Sequence, residues 1–476
     1  MAQAAVAPTR VETYERDRAG VPLSADRPWW RRLVHPIVPV TAAVIAVDVF
    51  CLAWMYRVMT QKTVQDDGTV IPGYNNDAIA LAAEYAFPTL AVLSALFILA
   101  DRYRPQRLFY WLLAVTWGAS SACGIALFLN EWTSAHLAVM WWEPGYDSAR
   151  LAVFIAPFVE EAAKAVILFV IALTDRGRIS SRLSGIALAG LTAVGFAFTE
   201  NIIYYGQVIV YGSYTASAGD VRQWLREFAL QRGLYFCFGH PLFTSMTGIG
   251  LAIACRHRSK VVRVVAPLAG YLTAAFLHMT FNTVVTAELV PSDYLNVIYI
   301  AVLLPLVALL VGVILVTLRR QRRLIADRLT DYVVMGWLPA TYPGLFSRWW
   351  TRTKALLISP WHGNVVSTIR LQSAVTELAY LRDAVARGTV DQGGLWREHE
   401  LIGRIRRLRS QRAIENPKGL RPYFWRRRAK KIGLTGSWGP PANAAAGQLT
   451  GPTAQAIPSG GPLRYSAVDP RWGPPS

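Results

Sequence analysis

Residues 150–173 read RLAVFIAPFVEEAAKAVILFVIAL, an apolar run that carries Glu160, Glu161 and Lys164 near its centre. A bilayer core requires roughly 20 apolar residues per helix, and this run is long enough. A charged side chain at the bilayer centre costs about 3 kcal/mol or more, so such residues usually face a protein-lined interior and serve a function. The run therefore predicts a membrane helix whose ionisable face is turned into a helix bundle.

Seven further apolar runs of similar length occur in the chain. They predict membrane helices near 37–56, 78–100, 107–130, 183–208, 235–255, 262–285 and 294–318. Hydrophobic residues make up 53% of the chain, yet 17% of its residues are charged, which indicates a membrane domain joined to a soluble part. We expect an all-α polytopic membrane protein with about eight transmembrane helices in residues 37–318, followed by a cytoplasmic helical segment and a disordered tail.

The charge of the connections predicts the orientation of these helices. Short cytoplasmic loops are enriched in Arg and Lys. The connections 101–107, 174–182 and 256–263 contain three, three and four such residues, whereas 131–149 and 286–293 contain none. The longer connection 209–234 is an exception, with Arg222, Arg226 and Arg232. We therefore expect a multi-pass protein of the plasma membrane with both termini in the cytoplasm, including an N-terminal segment, residues 1–36.

The C-terminal third is strongly basic. Residues 319–476 contain 26 of the 49 Lys and Arg but only nine of the 30 Asp and Glu. A basic segment joined directly to a membrane helix favours contact with anionic lipid headgroups over nucleic acid. We predict a basic cytoplasmic helical region over 319–434. From 435 to 476, Pro, Gly, Ala and Ser predominate, which is typical of disorder.

The basic region contains a helical pattern of apolar residues in two parts. Helical spacing relates Leu371, Val375, Leu378, Leu381 and Val385, and it resumes with Leu401, Ile405 and Leu408. Gly393 and Gly394 lie between the two parts and predict a break. The pattern predicts an antiparallel helix pair.

Ionisable or amide side chains also occur in three other predicted membrane helices. Glu200 lies in the fifth, His240 near the start of the sixth, and His278 and Asn282 share one face of the seventh at i and i+4. With a rise of about 1.5 Å per residue, these residues and Glu160 all fall in the outer half of the membrane. We therefore expect them to meet. Arg232 precedes the sixth helix and is expected to extend its guanidinium to the membrane interface.

Four short motifs in this region resemble those of the PrsW family of intramembrane proteases, which is related to the type II CAAX prenyl endopeptidases. The matching residues are Glu160-Glu161-x-x-Lys164, Phe196-x-x-x-Glu200-Asn201, His240 and His278-x-x-x-Asn282. Lys164 has the PrsW spacing, and Glu200 replaces the histidine of the CAAX enzymes. The resemblance covers residues 35–318. It implies an intramembrane endopeptidase that cleaves membrane-anchored proteins, such as anti-sigma factors, near the outer face.

Peptide hydrolysis requires an activated water, a group that stabilises the oxyanion and an acid for the leaving amine. We expect Glu160 to be the general base. Glu161, Glu200 and His240 are expected to orient the water or bind a metal, and His278 and Asn282 to donate hydrogen bonds to the oxyanion. Lys164, Phe196 and Asn201 are expected to support these groups.

Two versions of this chemistry are open. Zn²⁺ held by Glu200, His240 and His278 is chemically reasonable, because two imidazoles and a carboxylate form an open catalytic zinc site. A metal-free reaction like that of the CAAX relatives is equally reasonable.

Two other functions are compatible with buried Glu and His. A non-catalytic scaffold of the same superfamily would keep the polar core for folding alone. An ion-coupled transporter also uses intramembrane Glu and His, but such transporters commonly contain an inverted repeat, and none is evident in the sequence.

Overall fold

A computed structural model describes residues 37–64, 68–103, 108–137, 147–179, 181–214, 220–257, 259–286, 292–386 and 392–417. Contacts divide the chain between Leu318 and Arg319 into a membrane unit and a basic unit. The predicted N-terminal segment, residues 1–36, and the predicted disordered tail, residues 435–476, lie outside the described residues.

The described part of the membrane unit is built almost entirely from helices. They are α1 (Ile37–Thr60), α2 (Asn76–Ala100), α3 (Leu108–Trp117), α4 (Cys123–Leu137), α5 (Asp147–Phe154), α6 (Ala156–Thr174), α7 (Arg182–Tyr214), α8 (Val221–Leu230), α9 (Gly239–Arg256), α10 (Lys260–Thr286) and α11 (Ser292–Val334). A short antiparallel pair, β1 (Thr63–Val64) and β2 (Val70–Ile71), lies between α1 and α2. The helix α11 continues beyond Leu318 into the basic unit.

Seven stretches of helix in the described residues are long and apolar enough to cross a membrane. They are Pro39–Thr60, Asn76–Ala100, Leu108–His136, Arg182–Gly212, Val221–Arg256, Lys260–Val284 and Leu303–Val334. The predicted all-α polytopic membrane class is therefore confirmed. The helix α6 is not among the seven, because its 19 residues include Glu160, Glu161 and Lys164. An eighth crossing by α6 remains a proposal.

The predicted helix over 150–173 is interrupted in the structure. The helix α5 ends at Phe154 and α6 begins at Ala156, with Ile155 between them. Pro157 lies in the first turn of α6, where a residue without an N–H donor is tolerated. The amphipathic helix α8 lies in the predicted connection 209–234. Its Leu225 is buried in a cluster with Ala82, Ala86, Ile202 and Tyr205.

The helix α7 forms the core of the membrane unit. Its residues from Leu183 to Ala193 include seven apolar side chains with no exposed surface, as expected for a helix that is covered on all sides. Gly185 lies against α9 so closely that a Cβ there would overlap the carbonyl oxygen of Gly248, and the reverse also holds. The absence of side chains at both positions allows the two backbones to touch.

A π-helical turn, Gly118–Ala122, joins α3 to α4. Ser120 and Ser121 donate hydrogen bonds of 2.7 and 2.5 Å to the buried carboxylate of Asp48 on α1. The carbonyl of Ala119 accepts a hydrogen bond of 2.5 Å from Thr199, the residue before Glu200. A π-turn leaves a carbonyl free of its usual helical partner, and Thr199 satisfies it. The turn thus connects α1 to the middle of α7.

The described part of the basic unit is also helical. After α11 it contains α12 (Tyr342–Ser347), α13 (Trp349–Ile358), α14 (Val365–Ala386) and α15 (Gln392–Ser410), and a 3-10 turn, Ser359–His362, precedes α14. Arg397 on α15 binds Glu377, whereas the backbone of Ile414, just after α15, binds Thr368. This order of contacts makes α14 and α15 antiparallel. Gly393 and Gly394 lie inside α15, so the predicted break at these two glycines is wrong.

Candidate active site

The ammonium group of Lys164 lies between the two adjacent glutamates of α6. Its Nζ is 2.9 Å from Oε1 of Glu161 and 3.5 Å from Oε2 of Glu160. The side chains of Lys164 and Glu161 are fully buried, whereas 11% of the Glu160 side chain is exposed. The sequence predicts a pair between Lys164 and Glu160 at i and i+4, but the shorter contact is with Glu161. Lys164 therefore neutralises mainly the carboxylate that has no access to solvent.

Glu161 is held from three helices. Thr244 on α9 donates a hydrogen bond of 2.8 Å to its Oε2, and Lys164 on α6 binds its Oε1. His278 on α10 places Nδ1 3.3 Å from the same Oε1. Buried carboxylates need such partners, because an unpaired charge inside a protein is strongly destabilising. This arrangement makes Glu161 a positioning group behind the site.

Glu200 on α7 pairs with two side chains of the next segments. Nη2 of Arg232 donates a hydrogen bond of 2.8 Å to its Oε2, and Nε2 of His240 lies 2.9 Å from the same oxygen. Nε of Arg232 also donates to Oδ1 of Asn201 at 2.9 Å, and its guanidinium stacks over the ring of Tyr204 at 4.0 Å. Arg232 thus belongs to the site. The expectation that it extends to the membrane interface is wrong, because two acceptors and an aromatic face hold it here.

His240 has a hydrogen-bond partner at each ring nitrogen. Nδ1 lies 3.0 Å from Nζ of Lys164, and Nε2 lies 2.9 Å from Glu200. An ammonium group can only donate, so Nδ1 accepts from Lys164 and Nε2 carries the proton donated to Glu200. Phe196 supports this arrangement, with its ring centroid 5.3 Å from that of His240 and 3.8 Å from Nζ of Lys164. The result is a continuous chain of hydrogen bonds between α6, α9 and α7.

His278 and Asn282 lie on one face of α10, as predicted. Nε2 of His278 is 3.8 Å from Oε2 of Glu160, and its ring stacks on Phe243 with centroids 5.1 Å apart. Nδ1 of His278 makes no hydrogen bond with any described residue. Asn282 donates a hydrogen bond of 2.8 Å to the carbonyl of Ala152 and thereby ties α10 to α5.

These groups surround a cavity of about 440 Å³. Its polar lining includes Asn130, Thr133, Glu160, Glu200, Asn201, Arg232, His240, His278 and Asn282. Glu161, Lys164 and Thr244 are not part of the lining. The predicted site residues therefore come together in two layers, one that faces the cavity and one that lies behind it.

Three of the lining residues could hold a metal ion. Within the described residues, ligand atoms of Glu160, His240 and His278 lie within 4.8 Å of one another. The predicted set contains Glu200 in place of Glu160. Two imidazoles and a carboxylate suit Zn²⁺. Nδ1 of His278 faces Glu161 at 3.3 Å, which leaves Nε2, 3.8 Å from Glu160, as the nitrogen that could bind a metal.

The charges of the site also suit a cation. Glu160, Glu161 and Glu200 are opposed by Lys164 and Arg232, so the five formal charges sum to one negative charge. The free lone pair of His240 is on Nδ1, which now accepts from Lys164, so a bound cation and this ammonium would compete for it. The residues present therefore fit a metal if the hydrogen bond from Lys164 to Nδ1 of His240 is broken.

Residues 106–310 match a family model described as PrsW family intramembrane metalloprotease. Over this region the chain is similar to the PrsW family. The match includes the four motifs, and the predicted resemblance is confirmed. The matched family is one of intramembrane peptidases, which is consistent with a hydrolase, and the apolar helices make this chain a multi-pass membrane protein. No curated protein and no solved structure matches the chain.

Two side chains of this site were not predicted. Thr244 follows His240 by four residues, so its position on the same face of α9 was a usable signal. Arg232 lies 31 residues after Asn201 and in a π-helical turn after α8, and no local pattern relates the two residues. The model of the PrsW family begins after α1 and α2, so Asp48 lies outside the matched region.

Proposed function

We propose that this protein hydrolyses a peptide bond of a membrane-anchored protein in the 440 Å³ cavity, with Glu160 as the essential carboxylate. One observation carries the choice of residue. Of the two adjacent glutamates, Glu160 lines the cavity, whereas Glu161 lies behind it and is saturated by Lys164 and Thr244. A water molecule bound in the cavity can therefore reach Glu160.

The remaining lining groups have complementary roles. Glu160 accepts the proton of the attacking water, and the longer distance to Lys164 leaves its carboxylate less strongly paired than that of Glu161. His278 lies beside Glu160 and supplies a hydrogen bond to the oxyanion. Asn282 lines the same wall and fixes α10 against α5, which keeps the His278 ring in place. Arg232 and Glu200 hold the ring of His240.

A divalent metal on Glu160, His240 and His278 would act as a Lewis acid and polarise the scissile carbonyl or the water. In that version Glu160 is a ligand, and in the metal-free version it is the base. Glu160 is essential in both versions of the reaction. Substitution of Glu160 distinguishes the two versions when metal content and activity are measured together.

The substrate that we propose is a single-span protein of the anti-sigma-factor type, cleaved near the outer face of the plasma membrane. This proposal is supported by the motifs shared with the family and by the position of the site residues in the outer half of their helices when the rise is about 1.5 Å per residue. It also assumes that both termini are cytoplasmic.

The test uses purified full-length wild type, Glu160→Gln and a matched control, Glu84→Gln, which changes an exposed carboxylate on α2 outside the cavity. Single-span membrane proteins serve as substrates, and bound metal is quantified by mass spectrometry. We expect cleavage to be lost in Glu160→Gln only. Loss of cleavage together with the metal makes Glu160 a ligand, whereas loss of cleavage in a protein whose active wild type contains no metal makes Glu160 the base. Equal cleavage by all three proteins would overturn the proposal and favour a scaffold.

A further inference from the structure

The helix α13 of the basic unit and the turn that follows it expose a row of large apolar side chains. Trp350, Leu357 and Trp361 have 74%, 64% and 44% of their surface exposed, and Lys354 is also exposed. Their spacing of four, three and four residues follows one side of the helix and its 3-10 extension. We call these four residues the tryptophan stripe.

The opposite side of α13 is fixed to the core of the basic unit. Arg352, Ala355 and Ile358 on that side are buried. Nη1 of Arg352 donates a hydrogen bond of 2.6 Å to Thr376 on α14, and the carbonyl of Arg352 accepts one of 2.9 Å from Gln372. Because these contacts fix the rotation of α13, the tryptophan stripe lies on the side away from α14.

The stretch of chain around the tryptophan stripe carries only positive charges. Residues 332–376 contain no Asp or Glu, and they contain Arg348, Arg352, Lys354 and Arg370. Arg348 and Lys354 are exposed next to the apolar side chains of the stripe. Indole rings combined with Lys and Arg are typical of residues at a membrane–water interface, where the ring enters the headgroup layer and the cation meets lipid phosphate.

The chain also keeps this surface near a bilayer. The basic unit begins with Arg319, within the last candidate span, Leu303–Val334, and Trp350 follows Val334 by 16 residues. A surface tethered to a membrane encounters lipid at a high effective concentration, so a weak interaction is sufficient. A bilayer therefore accounts for the apolar row, the positive charge and the tether together.

We propose that the tryptophan stripe docks on the anionic lipid surface of the membrane that anchors the protein. Trp350, Leu357 and Trp361 enter the headgroup layer, while Lys354 and the neighbouring Arg348 pair with lipid phosphates. This inference is independent of the proposed protease chemistry, since it rests on a surface of the basic unit alone.

The test uses full-length protein in nanodiscs that contain a photoactivatable diazirine lipid, with either phosphatidylglycerol or phosphatidylcholine as the bulk lipid. Adducts are located by peptide mass spectrometry. We expect residues 349–361 to be labelled at least about fivefold more in the anionic discs than in the neutral ones. A peptide from α15 that contains the buried Leu401 and Ile405 should remain unlabelled in both.

Two variants examine the two components of the surface. Trp350→Ser with Leu357→Ser should abolish labelling in both lipids, and Lys354→Ser with Arg348→Ser should remove the preference for anionic lipid. Arg407→Ser, which changes an exposed cation on α15, should leave labelling unchanged. Equal labelling of wild type in the two lipids would overturn the proposal. Crosslinks between two protein chains through residues 349–361, without lipid adducts, would overturn it in favour of a second copy.

Discussion

At the scale of single residues, the two adjacent glutamates of α6 have different environments because neighbours on a helix point about 100° apart. The sequence alone predicts that they have different roles, but it does not predict which of them faces the cavity. That depends on the rotation of α6, which is set by contacts with Thr244 and His278 on other helices. For the same reason the sequence predicts Glu200 as a metal ligand, whereas in the structure Glu160 is the carboxylate with a ligand atom within 4.8 Å of both imidazoles.

Arg232 is expected to be needed for activity, because it holds both Glu200 and Asn201. Loss of a charge-assisted hydrogen bond costs about 1.5–3 kcal/mol, so Arg232→Ala should reduce kcat/KM by roughly tenfold or more. Arg232→Lys should retain only part of the wild-type kcat/KM, since an ammonium group cannot reproduce the planar guanidinium that donates to both Glu200 and Asn201. The exposed Arg226 on α8 provides the control, and Arg226→Ala should leave kcat/KM unchanged. Wild-type kinetics of Arg232→Ala would contradict the assignment.

The Lys164–Glu161 pair should behave as one unit in stability measurements. Both side chains are fully buried, and breaking such a pair costs about 3–5 kcal/mol because the remaining charge has no equivalent partner. We expect Lys164→Met and Glu161→Gln each to lower the free energy of unfolding in detergent by this amount. The double variant should lose less than the sum of the two. Strictly additive losses would mean that the pair is not coupled.

At the scale of elements, hydropathy predicts where helices lie but not where they end. The predicted last span, residues 294–318, is part of α11, which extends to Val334 because its charged residues continue the helix beyond the apolar run. The helix α8 was predicted as a connection, since only one side of it is apolar. The interruption at Ile155 was also not predicted, although Pro157 marks the position where α6 begins.

The contact between α7 and α9 should be sensitive to a single methyl group. A Cβ at Gly185 would overlap the backbone of Gly248, so Gly185→Ala must separate the helices and should cost about 1–3 kcal/mol of stability. A Cβ at Gly312 on α11 would meet no atom within 4 Å. Gly312→Ala should therefore be neutral or stabilising by up to about 1 kcal/mol, because Ala favours a helix over Gly. Thermal unfolding of the two variants in the same detergent measures the difference, and equal midpoints would contradict the packing argument.

At the scale of the whole molecule, the number of membrane crossings determines whether the two ends of the chain lie on the same side of the membrane. The apolar runs of the sequence predict eight crossings, whereas seven stretches of the described residues are long and apolar enough, because α6 contains three charged residues. The sequence therefore predicts the class of fold and contains the four motifs. The charged residues of the candidate site, however, make α6 difficult to recognise as a membrane helix from its apolarity. The composition changes from apolar to basic after Leu318, and contacts divide the chain into its two units at the same position.

A crossing by α6 can be tested with reporters on either side of it. We expect a reporter inserted in the connection 131–149 to be extracytoplasmic and one inserted near Arg178 to be cytoplasmic, since the positive charge of the latter connection retains it inside. A reporter near Asp293 should again be extracytoplasmic, and fusions at both termini should be cytoplasmic. If α6 does not cross, the reporters near Arg178 and in 131–149 will report the same side.

The unbroken helix α11 has a consequence for proteolytic processing. Arg319, Arg320, Arg322 and Arg323 are sites for trypsin-like proteases at the boundary of the two units, and all four lie within Ser292–Val334. Proteases cut exposed loops far more readily than hydrogen-bonded helices, because the backbone must be locally opened to enter their active sites. The junction is thus rich in cleavable residues but resistant to cleavage. The basic unit should therefore remain attached to the membrane unit when a trypsin-like protease is added.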